Sequence, residues 1–308
     1  MTTNAIQSSH IYSTYFAPRG RSRIYTLGMQ IAQLYLSPFD QIIGFIGEAG
    51  SGKSVLIKGM FPGIELTNDD DGVNVRPLPL LEQEYETGFF TPHTYHLDIR
   101  FETGFHQLSE LEDAVRLAVR RGKRIIIEHF DLIYPLLGVN ANLLIGVGEQ
   151  IVITRPNLFG PLPQELCDIV YPSLAYRLMA HSAEDLCEYA MTQEQMLACS
   201  HGDIRHGFVL EFNEHQPDID IPTLEARVNE LIRQDLPIDY YDESHILLGG
   251  AQHYCTGPRT HVRSTGRIIG FRLLDHFIYD HFHKTYMLVG CVGDDSEENI
   301  RKLETIHG

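Results

Sequence analysis

The sequence Gly47-Glu48-Ala49-Gly50-Ser51-Gly52-Lys53-Ser54 decides how the first half of the chain is expected to fold. It matches the pattern G-x-x-x-x-G-K-[ST], follows an apolar run at residues 42–46 and precedes a helix-like stretch at 54–60. The order strand, glycine loop, helix is that of a phosphate-binding P-loop (Walker A), in which backbone N–H groups and the positive helix end face one anion. This whole stretch is predicted to bind ATP, with Lys53 on the β- and γ-phosphates and the Ser54 hydroxyl on Mg²⁺. A chance match in a glycine-bearing turn is the alternative.

Composition bounds the class of protein. The chain has 308 residues, enough for two domains, and a net charge of −17. Such an acidic chain is a poor general nucleic-acid binder, because phosphate contacts need clustered Lys and Arg. Four arginines nevertheless fall close together and form either a local basic patch or a solvated strand edge: Arg259, Arg263, Arg267 and Arg272.

Cysteine usage and hydropathy suggest a location. The five cysteines form no C-x-x-C pair, and the N-terminus carries no secretory segment, which together predict a reduced, cytoplasmic protein. No apolar run approaches the length of a membrane span, so no membrane partner is expected. The sequence carries no signal of an oligomeric state.

Further elements flank the P-loop in the first half. Residues 1–20 are polar and contain Pro18 and Gly20, which predicts a loop. Apolar residues at helical spacing from 24 to 35 then predict an amphipathic helix before the P-loop strand. The acidic stretch 68–72 is either a solvated turn or a metal-ligand cluster.

Two more predicted strands carry carboxylates. Residues 93–100 predict a strand with Asp98 near its end, and a helix is expected at 108–119. The buried, β-branched run 124–128 ends in Glu128 and is typical of a Walker-B strand, which delivers its acid to the carboxyl edge of the sheet. An ordinary buried strand that ends in Glu is the alternative. Residues 143–148 and 150–154 predict one or two further strands.

Residues 20–135 resemble the TsaE (YjeE-like) ATPases, which support threonylcarbamoyl modification of tRNA adenosine. The resemblance rests on ordered pieces of sequence: Leu27-Gly28 with Ala32, Gly47 to Ser54 followed by Lys58-Gly59, His96-Leu97-Asp98-Ile99-Arg100, and Ile127-Glu128-His129. It implies that Asp98 and Glu128 serve Mg²⁺ and the attacking water. With Lys53, these two acids are the predicted catalytic residues, and Ser54, Asp98 and Glu128 are the predicted magnesium ligands.

The second half changes character after about residue 178. A helix is expected to open at 180–186, a strand at 208–212 and an amphipathic helix from 223 to about 236. With the phrases Val228-Asn229-Glu230-Leu231-Ile232 and Thr260-His261-Val262, this order resembles the second additional domain of alanyl- and threonyl-tRNA synthetases. The same domain occurs alone in AlaX-type editing proteins, where it binds one Zn²⁺ that supports deacylation of wrongly charged tRNA.

The resemblance implies a zinc-like site in this second half. His181 and Asp185 are one helical turn apart, so both can face one ion, and Cys255 and His261 flank a turn containing Gly257 and Pro258. Four N, S or O donors are what zinc requires. The alternative is that the fold persists without its metal and that these groups are only polar side chains.

The sequence thus predicts an α/β P-loop NTPase domain at residues 1–178 and an α+β editing-type domain at 179–308. The predicted function is a Mg²⁺-dependent ATPase, hence a hydrolase, acting with a tRNA-related or aminoacyl-type substrate at the second domain. The alternatives are a small-molecule kinase that uses the same P-loop, and a nucleotide-gated binding module or adaptor without turnover.

Overall fold

The computed structural model of the protein describes residues 12–66, 93–213 and 215–307. The acidic stretch predicted at 68–72 lies outside these residues. The described chain divides into two compact units, one comprising the residues up to Ala17 with Arg21–Pro172, the other Pro18–Gly20 with Ser173 onward. The protein belongs to the α/β class, with one mixed sheet and further antiparallel sheets. Within the described residues, no helix has both the length and the apolar character needed to cross a membrane.

Strands and helices alternate along the first unit. The strands are β1 (Ser13–Phe16), β2 (Ile42–Ile46), β3 (Thr94–Asp98), β4 (Arg124–Glu128), β5 (Leu143–Val147) and β6 (Gln150–Thr154). The helices are α1 (Arg21–Tyr35), α2 (Lys53–Met60), the short α3 (Ile99–Glu102), α4 (Leu108–Arg120), α5 (Phe130–Leu137) and α6 (Pro163–Ala190), of which α6 continues into the second unit.

The six strands form one sheet in the order β1-β6-β5-β2-β4-β3. Strands β5, β2, β4 and β3 are parallel to one another. At the other edge, β6 pairs antiparallel with β5, and β1 pairs antiparallel with β6. Alternate residues of β2 enter opposite cores: Ile42 and Ile46 pack with α4 and α5, while Ile43 and Phe45 pack with α1 and α2. Both faces are therefore covered, which explains why β2 and β4 read as continuous apolar runs.

Helices α1 and α2 approach each other closely, and α2 begins in the P-loop sequence. A Cβ on Gly28 would lie 2.4 Å from the Leu56 carbonyl oxygen, and one on Gly59 would lie 2.1 Å from the Tyr25 carbonyl oxygen. Only glycine permits this backbone contact. The two glycines consequently fix α2 against α1 and, with it, the position of the loop at its N-terminus.

The second unit contains two antiparallel sheets. Its helices after α6 are α7 (Gln193–Ala198), α8 (Ile221–Arg233) and α9 (Ser296–His307). The strands are β7 (Cys199–Ile204), β8 (Gly207–Asn213), β9 (Ile238–Asp242), β10 (His245–Leu248), β11 (Ala251–Tyr254), β12 (Arg272–Leu273), β13 (Ile278–Asp280) and β14 (Thr285–Cys291). One sheet has the order β11-β10-β9, and the other has β12-β14-β8-β7 with β13 paired to β14. The main hydrophobic core of this unit contains side chains from β8, from α8 and from the C-terminal part of α6.

Two sequence expectations about element limits are wrong. Residues 13–16 form strand β1 and not a loop, because Ser-Thr-Tyr-Phe pairs with β6 at the sheet edge and is too short for its periodicity to be recognised. The helix expected to open near residue 180 begins at Pro163 and continues through Pro172. Pro163 stands at the first helical position, as proline often does, but Pro172 lies inside the helix and does not end it. The predicted limit at residue 178 falls inside this helix.

Candidate functional site

The loop at residues 47–52 joins the end of β2 to the start of α2. Gly50 and Gly52 have φ values of 79° and 96°, in the left-handed region that residues with a Cβ rarely adopt. Gly52 is also the residue that precedes the first helical position, Lys53. The local sequence therefore dictates a tight turn that opens directly into a helix N-terminus, the arrangement that presents N–H groups to an anion.

Lys53 lies over this loop and is almost completely buried, with 5% of its surface exposed. Its Nζ donates to the carbonyl oxygens of Gly47 and Glu48 at 2.9 Å each, and lies 3.7 Å from Glu128 Oε2. Burial lowers the pKa of Lys53, and the charge of Glu128 offsets only part of that effect. The loop is thus closed by its own lysine.

Glu128 ends β4 and is the centre of the polar contacts at this sheet edge. Its Oε1 accepts hydrogen bonds from Ser54 Oγ at 3.2 Å and from His96 Nε2 at 3.1 Å. Burial by itself would raise the pKa of Glu128, but the hydrogen bond from His96 and the positive charge of Lys53 outweigh it and lower the pKa below its ordinary value. Glu128 is therefore an ionised carboxylate in a buried position.

The sheet register brings Asp98 to Glu128. Strands β3 and β4 are parallel neighbours, and Asp98 is the register partner of Glu128 at their carboxyl ends. Ligand atoms of Asp98, Glu128 and His129 lie within 4.8 Å of one another. Asp98 also begins α3, since its Oδ1 accepts from the Phe101 N–H at 3.1 Å. With the Ser54 hydroxyl, this edge offers the hard oxygen donors that Mg²⁺ prefers.

Two histidines at this edge are not identified as site residues by the sequence. His96 lies on β3, one pleat before Asp98, and bonds Glu128. His129 has φ 56° and precedes α5, and its buried Nδ1 makes no hydrogen bond within the described chain. Burial and the charge of Lys53 lower the pKa of His129, so its imidazole is neutral at neutral pH. The feature that marks His129 is its left-handed φ directly after Glu128, and a sequence does not reveal φ.

The second unit brings three of the four predicted zinc ligands together. Ligand atoms of Asp185, Cys255 and His261 lie within 4.8 Å of one another, with His261 Nε2 donating to Asp185 Oδ2 at 2.5 Å. His181 does not belong to this group, and its Nε2 is 4.0 Å from Asp203 Oδ1. Burial, together with the nearby charge of Arg19, lowers the pKa of His181 well below its ordinary value.

A residue that the sequence did not single out, Arg19, lies within this group. Its guanidinium is 2% exposed, bonds Glu184, donates to Asp185 Oδ1 at 2.6 Å and lies 3.6 Å from Cys255 Sγ. Burial and the charge of Asp185 raise the pKa of the Cys255 thiol, and the Arg19 guanidinium already places a positive charge beside Asp185 and Cys255. Asp185 and Cys255 thus contact a guanidinium at the place where the resemblance implies a zinc ion. Zinc at the four predicted residues stays a prediction.

Two of the four clustered arginines form ion pairs with acids. Arg259 donates to Glu243 Oε1 at 3.4 Å and its guanidinium carbon lies 4.4 Å from the Tyr240 ring centre, while Arg272 pairs with Glu225 and Glu297. Arg263 and Arg267 are exposed. Half of the four arginines are thus paired with acids, which weakens the interpretation as a basic patch.

Comparison of the chain with protein-family models gives no match, and comparison with curated proteins gives none either. The two resemblances described above therefore rest on the motifs themselves, and the functional argument rests on the geometry of the sites.

Proposed function

We propose that the first unit binds ATP with Mg²⁺ and hydrolyses it. The observation that carries this proposal is the buried contact set of Lys53, Ser54 and Glu128 at the start of α2. A lysine and a glutamate that are 5% and 3% exposed are costly to bury, and the 3.7 Å between Lys53 Nζ and Glu128 Oε2 is too long for a direct hydrogen bond. Phosphate oxygens and a divalent cation are the partners that suit them.

Each residue has a separable part in this proposal. The Lys53 ammonium leaves the carbonyl oxygens of the loop and binds the β- and γ-phosphates, which the Gly50 and Gly52 turn faces. Ser54, Asp98 and Glu128 would hold Mg²⁺, which neutralises charge that develops on the phosphates. Glu128 accepts a hydrogen bond from the attacking water, and His96 keeps its carboxylate oriented and ionised.

The coupled substrate belongs to the proposal as well, and it is supported by the resemblance of the second unit alone. That resemblance points to a tRNA-related or aminoacyl-type molecule. The net charge of −17 and the acid-paired arginines argue against general tRNA affinity. We therefore expect deacylation of mischarged alanine or threonine tRNA to be weak or absent, while ATP turnover measured with and without bulk tRNA tests the coupling directly.

The decisive experiment follows the γ-phosphate of ATP in purified protein. Lys53→Ala should abolish phosphate release, because the charge on the phosphate path is lost, and Lys123→Ala, a half-exposed lysine of the same unit, should not. Both variants should melt like the wild type. Wild-type release in a folded Lys53→Ala protein would remove the P-loop from the reaction.

Glu128→Gln tests the acid with size and hydrogen bonding retained. ATP should still bind, and hydrolysis should slow by about 10²- to 10⁴-fold, the typical contribution of a general base. Glu65→Gln, an exposed acid of the same unit, is the matched control. A phosphorylated small molecule in place of free phosphate would identify a kinase, and ATP binding without turnover in the wild type would identify an adaptor.

A further inference from the structure

A second group of donor side chains surrounds Glu188 and shares Asp185 with the group of Arg19, Cys255 and His261. Glu188 lies on α6, one turn beyond Asp185, and is 6% exposed. Its Oε1 accepts from His201 Nε2 on β7 at 3.1 Å, and its Oε2 is 4.0 Å from His253 Nε2 on β11. The Glu188 group, as used below, consists of Asp185, Glu188, His201 and His253.

Three buried carboxylates lie at this group, and the single arginine beside them pairs with only two. Arg19 pairs with Glu184 and Asp185, and Glu188 is the third buried carboxylate on the same face of α6. Across the described residues, no lysine or arginine forms an ion pair with Glu188; its close partners are the two histidines and Cys199, whose Sγ lies 3.6 Å from Glu188 Oε1. His201 also bonds Glu184 through its Nδ1 at 3.0 Å, so this one imidazole is shared between two carboxylates. A buried carboxylate needs a compensating positive charge or a proton, so this position favours a cation.

His253 is an independent observation that points to a ligand. Its side chain is 7% exposed, and its Nε2 makes no hydrogen bond to any described residue although it is buried and directed at Glu188. A buried ring nitrogen without a hydrogen-bond partner destabilises the protein, and a bound ligand would remove that cost. Ligand atoms of Asp185, Glu188 and His253 lie within 4.8 Å of one another, which leaves a modest side-chain movement to reach metal-ligand distances of about 2.0–2.2 Å.

We propose that the Glu188 group is a binding site for a divalent transition-metal ion of the zinc class. Glu188 and His253 are the principal ligands, and His201 supplies a further imidazole from β7. Asp185, whose two oxygens already accept from Arg19 and His261, shares one of them with the ion. Mixed imidazole and carboxylate donors suit zinc and its neighbours better than they suit Mg²⁺ or Ca²⁺. This site uses neither Cys255 nor His261, and it does not depend on the ATPase proposal.

Isothermal titration calorimetry of zinc into chelator-treated full-length protein measures the affinity and the number of ions bound. The wild type should bind about one ion, and Glu188→Gln and His253→Gln should each lose more than about 10-fold in affinity, since even outer-shell partners of a metal typically contribute 10- to 100-fold. His245→Gln is the matched control, because His245 is a half-exposed histidine on the neighbouring strand β10 that pairs with Asp242. It should bind zinc like the wild type.

Two further variants separate this site from the one that the sequence predicts. Cys255→Ser and His261→Gln should retain zinc, and cobalt-loaded protein should show no thiolate-to-cobalt charge-transfer band. Loss of binding in these two variants, with His253→Gln unaffected, would overturn the proposal in favour of the Asp185, Cys255 and His261 group. A wild type that binds no zinc would also overturn the proposal. Equal zinc affinity in every variant would overturn it too, because it would indicate an adventitious ion only.

A measurement without variants keeps the proposal testable if a substitution prevents folding. X-ray absorption fine structure of the zinc-loaded wild type should give only nitrogen and oxygen neighbours near about 2.0–2.2 Å. A sulfur neighbour near about 2.3 Å would place a cysteine, Cys255 or the Cys199 that lies 3.6 Å from Glu188 Oε1, among the ligands and refute the proposal.

Discussion

Replacement of Arg19 by methionine tests the charge arrangement of the second unit most directly. Methionine retains much of the length and apolar stem of arginine and removes the guanidinium. Arg19 is 2% exposed and pairs with Glu184 and Asp185, which are 1% and 2% exposed. The substitution therefore removes the guanidinium from two buried carboxylates. Asp185 keeps the hydrogen bond from His261, and Glu184 keeps the contact with His201 Nδ1 at 3.0 Å.

The expected loss follows from that burial. Removing one partner of a buried ion pair costs about 3–5 kcal/mol, because the other charge stays buried and unpaired, whereas an exposed pair contributes at most about 1 kcal/mol. Arg272 is the matched control, since it also pairs with two acids, Glu225 and Glu297, but is 51% exposed. Arg19→Met should lose several times more free energy of unfolding than Arg272→Met.

Urea denaturation followed by circular dichroism gives this comparison, and hydrogen exchange of the α6 peptides assigns the loss to the second unit. Arg19→Met/Asp185→Asn should recover part of the loss, because it removes one of the unpaired carboxylates. If Arg19→Met is no less stable than Arg272→Met, the Arg19 ion pairs make no net contribution and the charge argument fails.

Two smaller predictions concern one unit each. Gly59→Ala should destabilise the first unit by about 1–3 kcal/mol and weaken ATP binding, because its Cβ would lie 2.1 Å from the Tyr25 carbonyl oxygen. The control is Gly104→Ala, whose Cβ would lie 3.2 Å from its nearest neighbour. Equal melting temperatures of the two variants would contradict the packing of α2 against α1. In the second unit, burial would raise the pKa of Asp185, but Arg19 and His261 hold it below the ordinary value of 3.8. Its ionised form therefore stabilises the protein above pH 3.8, and this stabilisation is lost as the pH falls below that value. The free energy of unfolding should consequently fall more steeply with decreasing pH in the wild type than in Asp185→Asn. Equal slopes would exclude this residue as a source of acid sensitivity.

Much of the first site could be predicted because its signals are local. The order of strand β2, glycine loop and helix α2 is written in consecutive residues, and Glu128 ends an apolar run that reads as a buried strand. The pairing of Asp98 with Glu128 depends on sheet order, but parallel strands bring their carboxyl ends to one edge in any order. The roles of His96 and His129 depend on strand register and on a left-handed φ, which no residue pattern specifies.

The second site could be predicted only in part because its contacts are distant in sequence. Asp185, Cys255 and His261 converge as the motif suggested, and His181 does not. Arg19 was missed because it lies in a polar segment that predicts a loop and meets Asp185 across 166 positions. A single cation from the far end of the chain changes which ligand the group can accept, and local periodicity carries no information about it.

The two buried cations differ in how completely the protein satisfies them. Arg19 reaches two carboxylates directly, so its charge is compensated inside the fold. Lys53 has three N–H donors, gives two of them to loop carbonyls and lies 3.7 Å from Glu128, beyond hydrogen-bond distance. Neutral carbonyl oxygens do not offset a buried ammonium charge, and burial lowers the pKa of Lys53 accordingly. A triphosphate offers the negative oxygens that this lysine lacks, and the same contact would release the loop carbonyls. Under the proposed function the nucleotide would supply the anionic partner of Lys53, whereas Arg19 already has its carboxylate partners inside the fold.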